Sequence, residues 1–263
     1  MPRHFVANAR GNAWVREALR AEFAGLGLSV RLQGPYQNVV ALPRSLDART
    51  PVTFVAAHYD SVPDCPGADD NASGVAVMLE CARVLARSSV APPIGFIAFN
   101  AEEDGLLGSR DFVTRGLSGL PCQVGVTHVL EMVGFRAGAG ARQSVPLPWV
   151  PEGLTVPDYI GVIAKGCSNH VVDRVIRTQA SPELRVMTLK TWGPLYRVLP
   201  DLARSDHSPY WDAGRPAVMW TDTANFRNPH YHRSSDTPDT LDYAFMKDVA
   251  GLLCALLARE VVR

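Results

Sequence analysis

The sequence predicts an α/β fold, a single-domain three-layer α/β/α sandwich built on a mostly parallel central sheet. Three observations lead there. Short apolar runs with the character of strands buried on both faces alternate with longer segments of helical periodicity. No internal repeat or low-complexity tail interrupts the 263 residues, a length that single α/β domains often reach. Hydrophobic residues make up 47% of the chain and charged residues 20%, which allows a large core and excludes general disorder.

Taken in order, Trp14, Val15, Ala18, Leu19 and Phe23 fall on one face of a helix over Asn12–Leu26, ended by Gly25 and Gly27. Strand-like runs follow at Leu28–Leu32, Asn38–Leu42 and, most fully, Val52–Ala57. Asn71, Ala72 and Ser73 offer caps to a helix reading GVAVMLECARVLARS, which closes with Arg83 and Arg87 near its dipole-negative end. Ile94–Phe99 is another buried strand, Leu106–Arg115 a helix and Val124–Met132 a third buried strand. The Gly-, Ala- and Pro-rich stretch Gly134–Pro157 is expected as a long surface excursion within the one domain, 1–263. Strands resume at Tyr159–Ala164 and Arg185–Leu189, with a helix over Ser168–Thr178 between them, and Ala217–Thr221 adds one more. Thr237-Pro238 opens a last helix toward Val262, since proline fits the first helical position.

Charge narrows the function classes. Lys plus Arg and Asp plus Glu both total 26, without a dense basic patch, which argues against a chain built to grip nucleic acid. No apolar run approaches the ~20 residues of a membrane span, and MPRHFVANARGNAWVREALR lacks the apolar centre of a signal peptide. Cys65, Cys81, Cys122, Cys167 and Cys254 are odd in number and widely spaced. The expectation is a reduced, soluble, cytoplasmic protein with no membrane or nucleic-acid partner; oligomeric state is not legible.

The acids and histidines collect where such sheets bind ligands, outside the carboxyl ends of the strands. Val52–Ala57 runs into His58-Tyr59-Asp60, Ile94–Phe99 into Asn100-Ala101-Glu102-Glu103-Asp104, and Val124–Leu130 into Glu131. Ala217–Thr221 leads to a loop with His230 and His232, and Asp69-Asp70 precedes the helix opened by Asn71. Carboxylate and imidazole without thiolate form the donor set of a catalytic zinc or a similar divalent ion. The chain has no G-x-S-x-G elbow and no G-x-x-x-x-G-K-[ST] loop.

Six blocks in order, AAHYDS, PGADDNASG, NAEEDGLLGS, LEMVGF, SDHSPYWDAG and YHRSSDTPDTLD, span Ala56 to Asp242. Together they resemble the M28-type metallopeptidases, the co-catalytic zinc aminopeptidases. The resemblance implies the zinc-peptidase (phosphorylase/hydrolase-like) fold with a mixed central sheet, and an exopeptidase acting on peptides or small amides. It implies two zinc ions, replaceable by cobalt or manganese, bridged by Asp69, with His58 and Glu131 completing one site and Glu103 and His232 the other. It assigns Glu102 as general base and places a cis peptide between Asp69 and Asp70. Many members carry Asp where this chain has Glu131. Asp60 suits the acceptor that orients a ligand imidazole through its other nitrogen, and Asp206 and His207 are similar candidates. Trp192, Tyr196, Trp211, Trp220 and Phe226 could wall a substrate pocket or belong to the core. Two alternatives stay open, a single-zinc acyltransferase of the glutaminyl cyclase type and a non-catalytic binding module on the same fold.

Overall fold

Alternation along the central strands sorts side chains into two apolar layers. On β3 (Pro51–His58), Val55 and Ala57 face one layer while Val52, Phe54 and Ala56 face the other. On β4 (Ile94–Phe99), Phe96 and Ala98 oppose Ile97 and Phe99 in the same way, as the two-residue period of a strand requires. The computed structural model describes residues 1–263 except 47–48, 88–92, 139, 147–149, 179–180 and 261–263.

The remaining strands are β1 (Ser29–Gln33), β2 (Asn38–Leu42), β5 (Gln123–Glu131), β6 (Tyr159–Lys165), β7 (Arg185–Thr191) and β8 (Ala217–Thr221). They form one 8-stranded sheet in the order β1-β2-β4-β3-β5-β8-β6-β7. The centre, β4-β3-β5-β8, is parallel, whereas the β1/β2, β2/β4 and β8/β6 pairs are antiparallel. The sheet is therefore mixed, as expected, and the four parallel strands end on one rim.

Helices α1 (Ala9–Gly25), α2 (Gly74–Ala86), α4 (Asn169–Thr178) and α7 (Tyr243–Glu260) contribute Phe23, Met78, Val175 and Leu253 to one apolar layer. The short helices α3 (Leu107–Asp111), α5 (Leu195–Val198) and α6 (Ser208–Asp212) lie with the other layer, where Tyr196, Tyr210 and Trp211 are buried beside Phe54 and Phe99.

Element boundaries moved where side chains rather than periodicity decide them. The expected helix over Leu106–Arg115 is α3 followed by a wider turn over Phe112–Gly116. Pro238 opens only a single turn, Pro238–Thr240. The last helix starts at Tyr243, where Asp242 Oδ1 accepts the Phe245 amide at 2.9 Å and caps it. Its expected end at Val262, and the expected end of α2 at Ser88, lie outside the described residues. The 134–157 excursion is partly packed: Gln143 is buried, donates to the Tyr159 hydroxyl at 2.8 Å and accepts from Arg227 Nε at 2.8 Å.

Candidate metal centre and its supporting shell

Four of the site's side chains ride on or just beyond the parallel strands. His58 is the last residue of β3 and Glu131 the last of β5. Glu102 and Glu103 follow β4 across Ala101, which turns with φ +54. Met132, after Glu131, and His232 also take positive φ, +49 and +56. Non-glycine residues rarely adopt this region, and such outliers gather where the surroundings fix an unusual direction.

The centre of the cluster is Asp70. Its Oδ1 lies 3.3 Å from His58 Nε2 and its Oδ2 lies 3.1 Å from His232 Nε2. Glu131 Oε2 stands 3.5 Å from His58 Nε2, and Glu103 Oε2 3.3 Å from His232 Nε2. Two donor sets, His58/Asp70/Glu131 and Asp70/Glu103/His232, each fit within 4.8 Å and share Asp70. Glu102 joins a third such set with His58 and Glu103, at 4.0 Å from His58 Nε2.

This corrects the expectation for Asp69. Its Oδ1 accepts the Gly134 amide at 2.9 Å and its Oδ2 accepts Asn228 Nδ2 at 2.7 Å. Both oxygens are thus committed to backbone and amide donors on the far side of the loop, and Asp69 joins none of the donor clusters. The cis peptide is likewise one residue further along, at Asp70–Asn71. Two adjacent aspartates leave the phase of the motif ambiguous in sequence; only the direction of each side chain separates them.

His232, rather than the neighbouring His230, meets Asp70 and Glu103; the His230 Nδ1 lies 3.0 Å from the Ser235 hydroxyl. Asp60 is fully buried, 3.5 Å from His58 Nδ1, and accepts the Glu102 and Glu103 amides, each at 3.2 Å. One carboxylate therefore fixes the backbone of two site residues and faces a third. Asp206 is buried in the field of His58, Glu131 and Asp60, and burial pushes its carboxyl up to about 7. His207 does not serve the cluster: its Nε2 meets the Leu202 carbonyl at 2.8 Å and its ring lies edge-on to Trp211.

Charge in this basin is strongly perturbed. Burial drives the Glu102 carboxyl well above its usual range, with Glu131, Asp206 and Glu103 adding to the effect against His58. Burial, then Asp70, brings Glu103 up to about 7. Burial alone would lower His232, but Asp70 and Glu103 outweigh it and hold the imidazole at about 9. His58 is raised in the same sense, with Glu102 and Glu131 overcoming the burial that lowers it. The basin thus calls for positive charge, which among the described residues comes from the imidazoles of His58 and His232 and from Arg3 behind the loop.

Several further residues support the cluster, of which Arg3 carries no sequence signal of its own. Arg3, 4% exposed, reaches across the site loop: its Nε donates to the Tyr59 carbonyl at 2.6 Å and its Nη2 to the Gly67 carbonyl at 2.7 Å, while Nη1 meets the Pro66 carbonyl. Asp236 accepts the Asp69 and Asp70 amides at 2.8 and 3.1 Å. Asn71 donates to the Leu130 carbonyl at 2.8 Å and accepts the Met132 amide at 3.1 Å, which ties the Asp70 loop to the end of β5. Ser205 donates to Glu131 Oε2 at 2.6 Å.

Of the aromatic residues, Tyr196, Trp211 and Trp220 are buried in the apolar layers and Trp192 is 65% exposed. Phe226 alone of the five lines the cavity beside Glu131.

Residues 38–140 match the sequence profile of peptidase family M28. Over 260 residues the chain is 33% identical to the uncharacterized protein YfbL of Escherichia coli, covering 92% of this chain and 78% of that one. The chain belongs to peptidase family M28. It is 51% identical over 229 residues to aminopeptidase YwaD of Bacillus subtilis, which covers 86% of this M28 chain but only 45% of the relative. The solved structure of a zinc aminopeptidase from Bacillus subtilis superposes with a TM-score of 0.63 at 30% identity, covering 86% of this chain and 50% of that one. The M28 chain therefore spans about half the length of these Bacillus subtilis matches. No helix among its described residues is long and apolar enough to cross a membrane.

Proposed function

We propose that this M28 chain is a metal-dependent aminopeptidase, one catalytic domain that holds two divalent ions and hydrolyses the amide bond following a residue with a free amine. The observation that carries the reading is Asp70, whose two oxygens are divided between His58 and His232, each imidazole having its own further carboxylate. The donors fit such ions. They are carboxylates and imidazoles without thiolate, the catalytic rather than the structural zinc set. His58 Nε2, which faces the cluster, and Oε1 of Glu103 lack a hydrogen-bond partner, a state that is costly unless another ligand satisfies them.

His58, Asp70 and Glu131 would hold one ion, and Asp70, Glu103 and His232 the other. Zinc is the first choice on the relatives' names, with cobalt or manganese as substitutes. Bound there, the ions supply Lewis acidity toward a substrate carbonyl and toward water. The protein supplies the rest. Glu102, with its amide fixed by Asp60, presents a carboxylate whose affinity for protons is raised by burial. It accepts a proton from the attacking water and returns it to the departing amine nitrogen. Ser205 fixes Glu131, and Asp60 fixes the Glu102-Glu103 backbone and faces His58 Nδ1 at 3.5 Å, so little reorganisation is needed during reaction. A single-zinc cyclase needs only the Asp–Glu–His set; the second set, built on His58 and Glu131, supports hydrolysis instead. The five cysteines, all free thiols, support a reducing, cytoplasmic setting.

The test is hydrolysis of an aminoacyl-anilide panel by zinc- or cobalt-reconstituted protein, with acetyl-blocked anilides alongside. Cleavage confined to free-amine substrates is expected. Equal cleavage of blocked substrates, or cleavage of neither, would remove the aminopeptidase assignment.

A further inference from the structure

The cavity beside Glu131 measures about 150 Å³, and its walls include Glu131, Ser205, Met219 and Phe226. A space of that size suits a group no larger than benzene, which is about what a leucine or phenylalanine side chain presents. It does not stand alone. Pro146, Ile163, Asp201, Leu202, Thr221 and Thr223 also line a second cavity of about 360 Å³, so the two chambers adjoin along one wall. The far chamber is lined by Leu154, Tyr159, Met187, Leu189 and Leu199, and falls in the size range of small-ligand sites.

A glycine keeps the far chamber open beside Thr221. Tyr159, Gly161 and Ile163 share one face of β6 and line the far chamber, with Gly161 opposite Thr221 in the sheet register. A Cβ at position 161 would stand 3.2 Å from the Thr221 carbonyl oxygen, so a side chain there would crowd the shared wall. The charges near the junction are already engaged. Arg204 donates to Asp201 at 3.1 Å, to Asn225 at 2.9 Å and to the Tyr231 hydroxyl at 3.0 Å. A polar side chain entering the far chamber would find few partners there, whereas an apolar one would lose only its contact with water.

We propose that the two chambers act as one channel for a substrate side chain longer than that of leucine. The substrate class is amides of free-amine residues whose side chain is a long apolar chain, seated beside Glu131 and extending between β6, β7 and Leu199. This specificity rests on the aminopeptidase reading above.

Two measurements separate the inference from that reading. The first is kcat/KM of the zinc-loaded enzyme for anilides of leucine, norleucine, 2-aminooctanoic and 2-aminodecanoic acid. The second is calorimetric binding of the same free amino acids, which needs no turnover. Each added methylene that reaches the far chamber should raise kcat/KM and tighten binding about fourfold, the value of one buried CH₂. Met187→Trp and, separately, Leu154→Trp place an indole in the far chamber and should bring the long-chain to leucine ratio down to about one. Cleavage of leucine anilide with no gain along the series, in rate or in binding, overturns the channel while leaving the aminopeptidase reading intact. Binding that tightens along the series without any hydrolysis keeps the channel and sinks the reading.

Discussion

Removing the Arg3 guanidinium should loosen the metal centre without touching any of its donors. Arg3 spans both ends of the loop between His58 and Asp70, bonding the Tyr59, Pro66 and Gly67 carbonyls. Its positive charge also lies in the field of Asp60, Asp70 and Asp236. In Arg3→Met the apolar stem survives, but three carbonyls lose a charged donor in a site only 4% exposed. A buried hydrogen bond to a charged group contributes about 1.5 kcal/mol or more, so the three together give at least about 4.5 kcal/mol. If that cost falls on the ordered loop that holds the ions, zinc affinity drops by about three orders of magnitude, at about 1.4 kcal/mol per tenfold. If instead the loop stays ordered without metal, the same cost appears as a melting temperature of the metal-free protein lower by roughly 10 °C. Chelator competition gives the first quantity and scanning calorimetry the second, with Arg3→Lys, which keeps the charge and fewer donors, expected between the two. Zinc affinity within about twofold of wild type, with an unchanged melting temperature, would show that the loop holds itself and that this reasoning is wrong.

Three other outcomes follow from the geometry. Glu102→Gln should lower kcat by about 10²–10⁴, the usual share of a general base, at unchanged zinc content; loss of zinc in that variant would make Glu102 a ligand instead. Asp70→Asn should lose bound zinc while Asp69→Asn retains it, because only Asp70 faces both imidazoles; metal analysis giving the reverse order would restore Asp69 as the bridge. His207 is buried with its imidazole pushed down to about 4 from 6.5, burial outweighing its bond to Leu202. The fold holds this imidazole neutral while the unfolded chain takes up a proton. Its stabilising contribution is therefore whole above pH 6.5 and is lost as pH falls toward 4. The loss amounts to roughly 3 kcal/mol. Urea denaturation across that range should show a shallower acid slope in His207→Phe, and parallel slopes would refute the assignment.

How much of this was legible in the sequence depended on the range of the forces involved. The buried parallel strands were readable because a strand covered on both faces needs a continuous apolar run, as Phe54 to Ala57 provides. Strand ends then located His58, Glu102, Glu103 and Glu131 without any knowledge of neighbours. The antiparallel pairs β1/β2, β2/β4 and β8/β6 came only with the family resemblance, since strand direction leaves little trace in a short apolar run. Asp69 and Asp70 could not be told apart by pattern: the same residue type occurs twice, and what separates them is that Gly134 and Asn228 engage one carboxylate while His58 and His232 flank the other. Arg3 was invisible for a similar reason, since its partners are backbone carbonyls 56 to 64 residues away. The last helix was misplaced because Thr237-Pro238 has the local chemistry of a helix start, while Asp242 has the actual capping bond.

The most direct test of the central claim is zinc stoichiometry by elemental analysis of dialysed protein, wild type beside His58→Ala. Paired donor sets sharing Asp70 predict two zinc ions per chain in wild type and one in the variant. A single ion in wild type, held equally well by His58→Ala, would contradict the dinuclear centre and leave only the set formed by Asp70, Glu103 and His232.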